Sequence, residues 1–178
     1  MGDKPSIAEN ILEHAERLFL QYGIRSVTMD DIARVLSISK KTIYQHFQDK
    51  NEIVFRVSQQ VFAKERKLMN EFHQQSKDVV HEMVLISKYL REHVAKINPA
   101  AMSDLEKFYK EAWQIFLTFK QEELKLIEST IRKGIKEGFF RSGINPQVLA
   151  ILRLETVELM FDQHIFPRDQ FDSQEVQM

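Results

Sequence analysis

The chain contains no cysteine, which removes disulfides, thiolate metal sites and cysteine nucleophiles together. Glycine and proline are nearly as scarce, at five and four among 178 residues. So few breakers favour long helices over many short strands. The glycines, at 2, 23, 134, 138 and 143, build neither a phosphate loop nor a dinucleotide fingerprint. No apolar run reaches the roughly eighteen residues of a membrane span, and Asp3, Lys4, Glu9, Glu13, Glu16 and Arg17 crowd the first twenty positions. No membrane partner and no signal peptide are expected, and a cytoplasmic location is. An excess of charge is missing too. The formal net charge is −1, with seven Lys/Arg against seven Asp/Glu in residues 1–50. Any nucleic-acid binding must therefore use a local patch and not a global field.

Catalytic and metal-binding patterns are also absent. His14, His73, His81, His93 and His164 show no i,i+4 pairing, and no His-Glu-x-x-His occurs. A di-iron bundle needs paired Glu-x-x-His motifs on facing helices; the nearest approach, Asp78 with His81, is single. Glu155, Glu158 and Asp162 cluster, but they read as a solvated or dimer-rim acidic face. No enzyme activity, cofactor or metal is expected.

What is present is helical periodicity. Ser6 and Glu9 form a capping-box pattern, and Ile11, Leu12, Ala15, Leu18, Phe19 and Tyr22 recur on one face up to Gly23. Thr28, with Asp31 as a weaker box, starts a second helix to about residue 35. Ser39 caps a short third that turns Ile43 and Phe47 inward. Asp49 and Glu52 open a fourth, to about 73. A fifth spans roughly 78–95, and Asn98-Pro99 starts a short turn of helix. Ser103 and Glu106 are expected to box the next segment, followed by a helix over about 122–138. Asn145-Pro146 caps a last one running to about 165. Residues 168–178 are polar and expected to fray. The reading is an all-α chain: a three-helix head, residues 1–48, on a helical-bundle body, residues 49–178.

Two short helices joined by Leu36-Ser37-Ile38, after a longer supporting helix, make a helix-turn-helix arrangement. A helix entering the major groove needs small and polar side chains outward and an apolar back. Ser39, Lys40, Lys41, Thr42, Tyr44, Gln45 and His46 supply the first, and Ile43 and Phe47 the second. Thr28 at a helix start, and Lys50 at another, are placed to meet phosphates. Alone, Lys40-Lys41 is an ordinary solvated pair; its setting beside a tight turn is what gives it weight.

This segment, TMDDIARVLSISKKTIYQHFQDK over residues 28–50, resembles the DNA-binding head of the TetR/AcrR family of bacterial transcriptional regulators. The resemblance covers residues 11–50. It runs through Ile11, Ala15, Leu18-Phe19 and Tyr22-Gly23, then Thr28, Asp31-Ile32-Ala33, Ser37-Ile38-Ser39, Thr42-Ile43-Tyr44, His46-Phe47 and Lys50. Ser37 stands where the family commonly has glycine at the start of the turn. The resemblance implies that Lys40, Lys41, Thr42, Gln45 and Ser39 face bases, and that Thr28, Tyr44, His46 and Lys50 turn towards phosphates. It also implies a one-component repressor that binds a palindromic double-stranded operator as a homodimer.

The body offers two further readings. Apolar residues of the last helix, such as Val148, Leu149, Ile151, Leu152 and Met160, occupy more than one face, as a dimerisation helix would. The rings Phe108, Tyr109, Trp113, Phe116 and Phe119 are either plain core or, with Phe62, Leu85 and Tyr89, the wall of a cavity for a small, largely apolar effector. Two other functions compete with a regulator. One is a helical protein-interaction module whose helix-turn-helix is only scaffolding, which has no need of Lys40, Lys41 and Lys50. The other is a small bundle enzyme, which would need convergent carboxylates or histidines.

Overall fold

The computed structural model describes residues 5–159, 161–162, 164–167 and 170. Eight α-helices are described: α1 Ile7–Tyr22, α2 Met29–Leu36, α3 Lys40–Tyr44, α4 Lys50–Gln75, α5 Val79–Glu92, α6 Pro99–Phe108, α7 Lys110–Lys136 and α8 Pro146–Leu159. A 3₁₀ turn, Val94–Lys96, follows α5. The described residues contain no strand.

The local caps act as the sequence indicates. The Ser6 hydroxyl accepts from the Glu9 amide, and the Glu9 carboxylate accepts from the Ser6 amide. The same reciprocal box joins Thr28 and Asp31 at the start of α2. Two N-terminal donors that the helix itself cannot satisfy are paired in each case. Asn98 caps α6 with Pro99 in its first turn, and the Asn145 side chain accepts from the amides of Gln147 and Val148.

Three boundaries differ from the expectation. Ser103 lies inside α6 and does not begin a helix, because Asn98-Pro99 has already started one. The break falls instead at Tyr109 (φ −125°, ψ 66°), after which α7 continues unbroken through 120–123, where Lys-Gln-Glu-Glu gives a helix no reason to stop. The last helix ends at Leu159, short of 165. The amides of Phe161 and Asp162 bond back only three residues, and Asp162 Oδ1 takes the His164 amide, so the chain turns away. Met160 and most of 168–178 lie outside the described residues.

The chain divides into two compact units. The first joins residues up to Phe62 with Ile97–Phe116. Its core holds Ile11, Ala15, Phe19, Ile32, Ile43, Phe47, Ile53 and Val54, all nearly or wholly buried. The second comprises Ala63–Lys96 and the chain from Leu117 onward. Its interior includes Met69, Val79, Ile131 and Ala150, with Glu82 buried among them. That carboxylate is compensated locally: His73 Nδ1 lies 3.1 Å from one oxygen, and the Thr130 hydroxyl donates to the other at 3.0 Å. Gly134 permits a close approach in the same unit, since a Cβ there would lie 2.4 Å from the Phe140 ring.

Candidate nucleic-acid interface

The turn between α2 and α3 is tight because Ser37 adopts a left-handed conformation (φ 55°, ψ 37°). This lets the Ile38 amide reach Ala33 O at 3.0 Å, so serine supplies the geometry for which glycine is the easier residue. Ser39 then caps α3 through its hydroxyl, which accepts from the Thr42 amide at 3.0 Å and lies 2.8 Å from the Thr42 hydroxyl.

Ile43 is fully buried and Phe47 nearly so. They fix which side of α3 faces outward, and Ser39, Lys40, Lys41, Tyr44, Gln45 and His46 are exposed, with Thr42 half-buried. Gln45 and His46 lie just past the helix, where the His46 and Phe47 amides bond to Ile43 O. The structure therefore leaves six of the sequence-predicted residues exposed and Thr42 half-buried around two apolar anchors.

The electrostatics of this surface are not simply basic. Lys40 Nζ donates to Asp30 Oδ2 at 2.8 Å, which raises the lysine above its ordinary range. Thr28 is engaged as well. Its hydroxyl and amide both donate to Asp31 Oδ2, and these bonds hold that carboxyl below the usual range. Lys50 Nζ turns inward, donating to Ile24 O at 2.5 Å and lying 5.9 Å from the centre of the Phe19 ring. Burial lowers this lysine. Here it ties α4 to the loop between α1 and α2. Asp30 and the residues around that loop, Arg25 and Asp104, are absent from the sequence reading, and Asn98 enters it only as a helix cap. Their partners are ten to seventy-nine residues away, and no local pattern announces them.

The residues suggested for an effector wall separate. Phe62, Trp113 and Phe116 form a continuous aromatic cluster in the first unit, with ring centres 5.5 Å (Phe62–Phe116) and 4.6 Å (Trp113–Phe116) apart. Phe108 is 52% exposed and lies under the Arg25 guanidinium, 4.4 Å from its ring centre. Leu85, Tyr89 and Phe119 fall in the second unit. There the Tyr89 hydroxyl donates to Glu65 at 2.6 Å, and the phenol, pushed up mainly by burial, stacks on His93. The acidic group on α8 is explained by Lys120, whose ammonium lies 2.9 Å from Glu155 and 2.6 Å from Glu158. Among the described residues no group of three or more His, Asp or Glu could hold a metal, and no helix is long and apolar enough to cross a membrane.

A three-helix head whose third helix is polar outward with an apolar back has the helix-turn-helix arrangement of DNA-binding proteins. Residues 11–57 match the family model of the bacterial regulatory proteins of the tetR family. The chain is 24% identical over 169 residues to the uncharacterised HTH-type transcriptional regulator YvaF of Bacillus subtilis, covering 94% of this chain and 88% of that protein. Its fold is similar to that of a TetR-family regulator from Agrobacterium tumefaciens (TM-score 0.81, 17% identity, 95% of this chain and 90% of that one). It is equally similar to a regulator from Saccharomonospora viridis solved in complex with choline (TM-score 0.81, 19% identity, 96% and 91%). The segment 11–57 is that of a bacterial regulatory protein of the tetR family, and the general role it supports is DNA-binding transcriptional regulation.

Proposed function

We propose that the protein is a cytoplasmic repressor that binds a palindromic operator as a homodimer and is released by a small, largely apolar effector. In this reading residues 1–48 bind DNA, and residues 49–178 dimerise and hold the effector. The observation that carries it is the face formed by Ser39, Lys40, Lys41, Thr42, Tyr44, Gln45 and His46 over buried Ile43 and Phe47. One such face reads only a few base pairs, so specificity calls for two, about 34–36 Å apart in a two-fold dimer. α8 supports the dimer: Val148, Ile151, Leu152 and Leu159 are all exposed apolar residues on a helix of fourteen. The aromatic cluster Phe62, Trp113 and Phe116 supports an apolar ligand, and a similar regulator holds a small molecule, choline.

The test is selection of duplexes from a random-sequence pool by the full-length protein, followed by gel-shift titration and light scattering. An inverted repeat and a particle of twice the chain mass are expected. Compounds that change the fluorescence of Trp113 are then tested for release of the selected duplex. A monomer at micromolar concentration, or a selected site without symmetry, overturns the dimeric reading. Binding at Trp113 that leaves DNA affinity unchanged overturns the effector reading, since a ligand shifts an equilibrium only by its preference for one state.

A further inference from the structure

The loop that carries the chain from α1 into α2, residues 23–28, has no regular structure of its own, yet it is held from several directions within the first unit. The Asn98 amide donates to Leu20 O at 2.8 Å, and its side chain to Gln21 O at 3.2 Å. Gly23 lies against Ala100 closely enough that a Cβ would be 3.0 Å from the alanine methyl. The Arg25 amide donates to Asp104 Oδ2 at 2.7 Å, while its guanidinium rests on the Phe108 ring. Lys50 holds Ile24 O from α4. Three residues beyond Arg25, Thr28 begins α2, the helix that supports α3.

Asn98, Ala100, Asp104 and Phe108 are the N-cap and one face of α6. That helix is a separate piece, because Tyr109 is not helical and α7 starts afresh at Lys110. Trp113, whose amide bonds to Tyr109 O at 2.9 Å, lies one turn beyond this joint.

We propose that Asp104 and Phe108 are positioning residues for DNA binding: α6 clamps the 23–25 loop and so fixes the entry of α2. The proposal rests on the reading that residues 39–46 bind DNA. It makes an electrostatic prediction of unusual sign. Asp104 is an anion, and removing an anion near a polyanionic ligand strengthens binding on Coulomb grounds alone. If Asp104 acts as a clamp, its removal weakens binding instead.

The experiment titrates the full-length protein and its variants against the duplex that the wild type selects, over a series of salt concentrations. D104A is expected to weaken binding about fivefold to tenfold, the scale of one lost hydrogen bond to a charged acceptor in a partly solvated place. The salt slope should stay unchanged, because no phosphate contact is lost. D104N removes the same charge but keeps an oxygen for the Arg25 amide, and is expected to bind within about twofold of wild type. F108L, which keeps apolar bulk and loses the ring face, should weaken binding in the same direction. Hydrogen exchange of the amides at 25–27 should accelerate in D104A and F108L but not in D104N. The clamp is overturned if D104A binds as tightly as the wild type or more tightly, or if D104A and D104N shift together. Should D104A fail to fold, F108L and the exchange rates decide in its place. K41A, titrated alongside, separates the two readings: unchanged binding in K41A refutes residues 39–46 as the DNA face, whereas lost binding in K41A with intact binding in D104A and F108L refutes the clamp alone.

Discussion

Replacing Gly23 by alanine tests the junction on which the head depends, and the structure sets the size of the effect. Gly23 has φ 85° and ψ 155°, and its amide donates to Phe19 O at 2.9 Å to close α1. An L-residue in that region of backbone space costs about 1–3 kcal/mol. The new Cβ would lie 3.0 Å from Ala100 Cβ and 3.4 Å from Asp104 Oδ2. The methyl of Ala100 cannot rotate aside, so the backbone must give, which adds to the cost. Against this, alanine restricts the unfolded chain and recovers about 0.4–1 kcal/mol. The net expectation is a loss of about 1–3 kcal/mol, read as a lower urea midpoint at unchanged slope. A double-mutant cycle divides the loss between its two causes. A100G removes the methyl that Gly23→Ala meets, so it should cost less in the G23A background than in the wild type, where it costs about 1 kcal/mol of helix propensity. G23A within about 0.5 kcal/mol of wild type would refute the strain argument. A cycle with no coupling would refute the contact between α6 and the loop.

Four further outcomes follow from named residues. S37G should stabilise the protein by about 0.5–1 kcal/mol, because glycine reaches the left-handed turn at φ 55° without strain; a lower melting temperature in S37G counts against the turn as described. Glu123 is pushed up to about 7 by burial and then by Glu65. With the folded value above the unfolded one, the wild type loses stability as pH rises from about 4.5 through 7, and E123Q does not. The variant should therefore gain about 1–2 kcal/mol over wild type between pH 4.5 and pH 8, the figure being reduced for partial exposure; a gap that does not change with pH in urea titrations contradicts this. T42A or Q45A should relax base preference by about 1–3 kcal/mol at one position of the selected duplex, and equal losses on all sequences would make the residue a phosphate contact. L152E, on the exposed apolar side of α8, should yield a monomer by light scattering with unchanged helical circular dichroism; a persistent dimer would move the interface elsewhere.

The parts of this fold that were legible are those encoded within one turn of chain. Ser6 with Glu9, Thr28 with Asp31, Ser39, and the Asn-Pro steps at 98–99 and 145–146 each announce a helix start, because a cap is a bond between residues two or three apart. The buried pair Ile43 and Phe47 follows from periodicity, and the outward face of α3 follows from the pair. The break at Tyr109 was not legible: no glycine or proline marks it, and Ser103 with Glu106 imitates a cap inside a helix that has already begun. That one misplaced boundary changes how the aromatic run is read. With an interruption after Phe108, the later rings at 113 and 116 join Phe62 in the interior, while Phe108 faces outward beneath Arg25.

Charged residues carry the larger difficulty, since a lysine looks the same in sequence whatever it meets. Lys40 and Lys41 read as base-facing and Lys50 as phosphate-facing, yet Lys40 is paired with Asp30 and Lys50 bonds to the carbonyl of Ile24, while Lys41 is exposed. The acids divide in the same manner. Glu155 and Glu158, one turn apart, read as a solvated or dimer-rim acidic face, and both are paired with Lys120 of α7. Asp104 gives no signal at all, because its partner is a backbone amide seventy-nine residues earlier. For a head of neutral net charge this matters to function. DNA binding here depends less on how many cations the first fifty residues contain than on which of them the surrounding acids and carbonyls leave available, and on how firmly α6 and α4 hold the loop that aims α2.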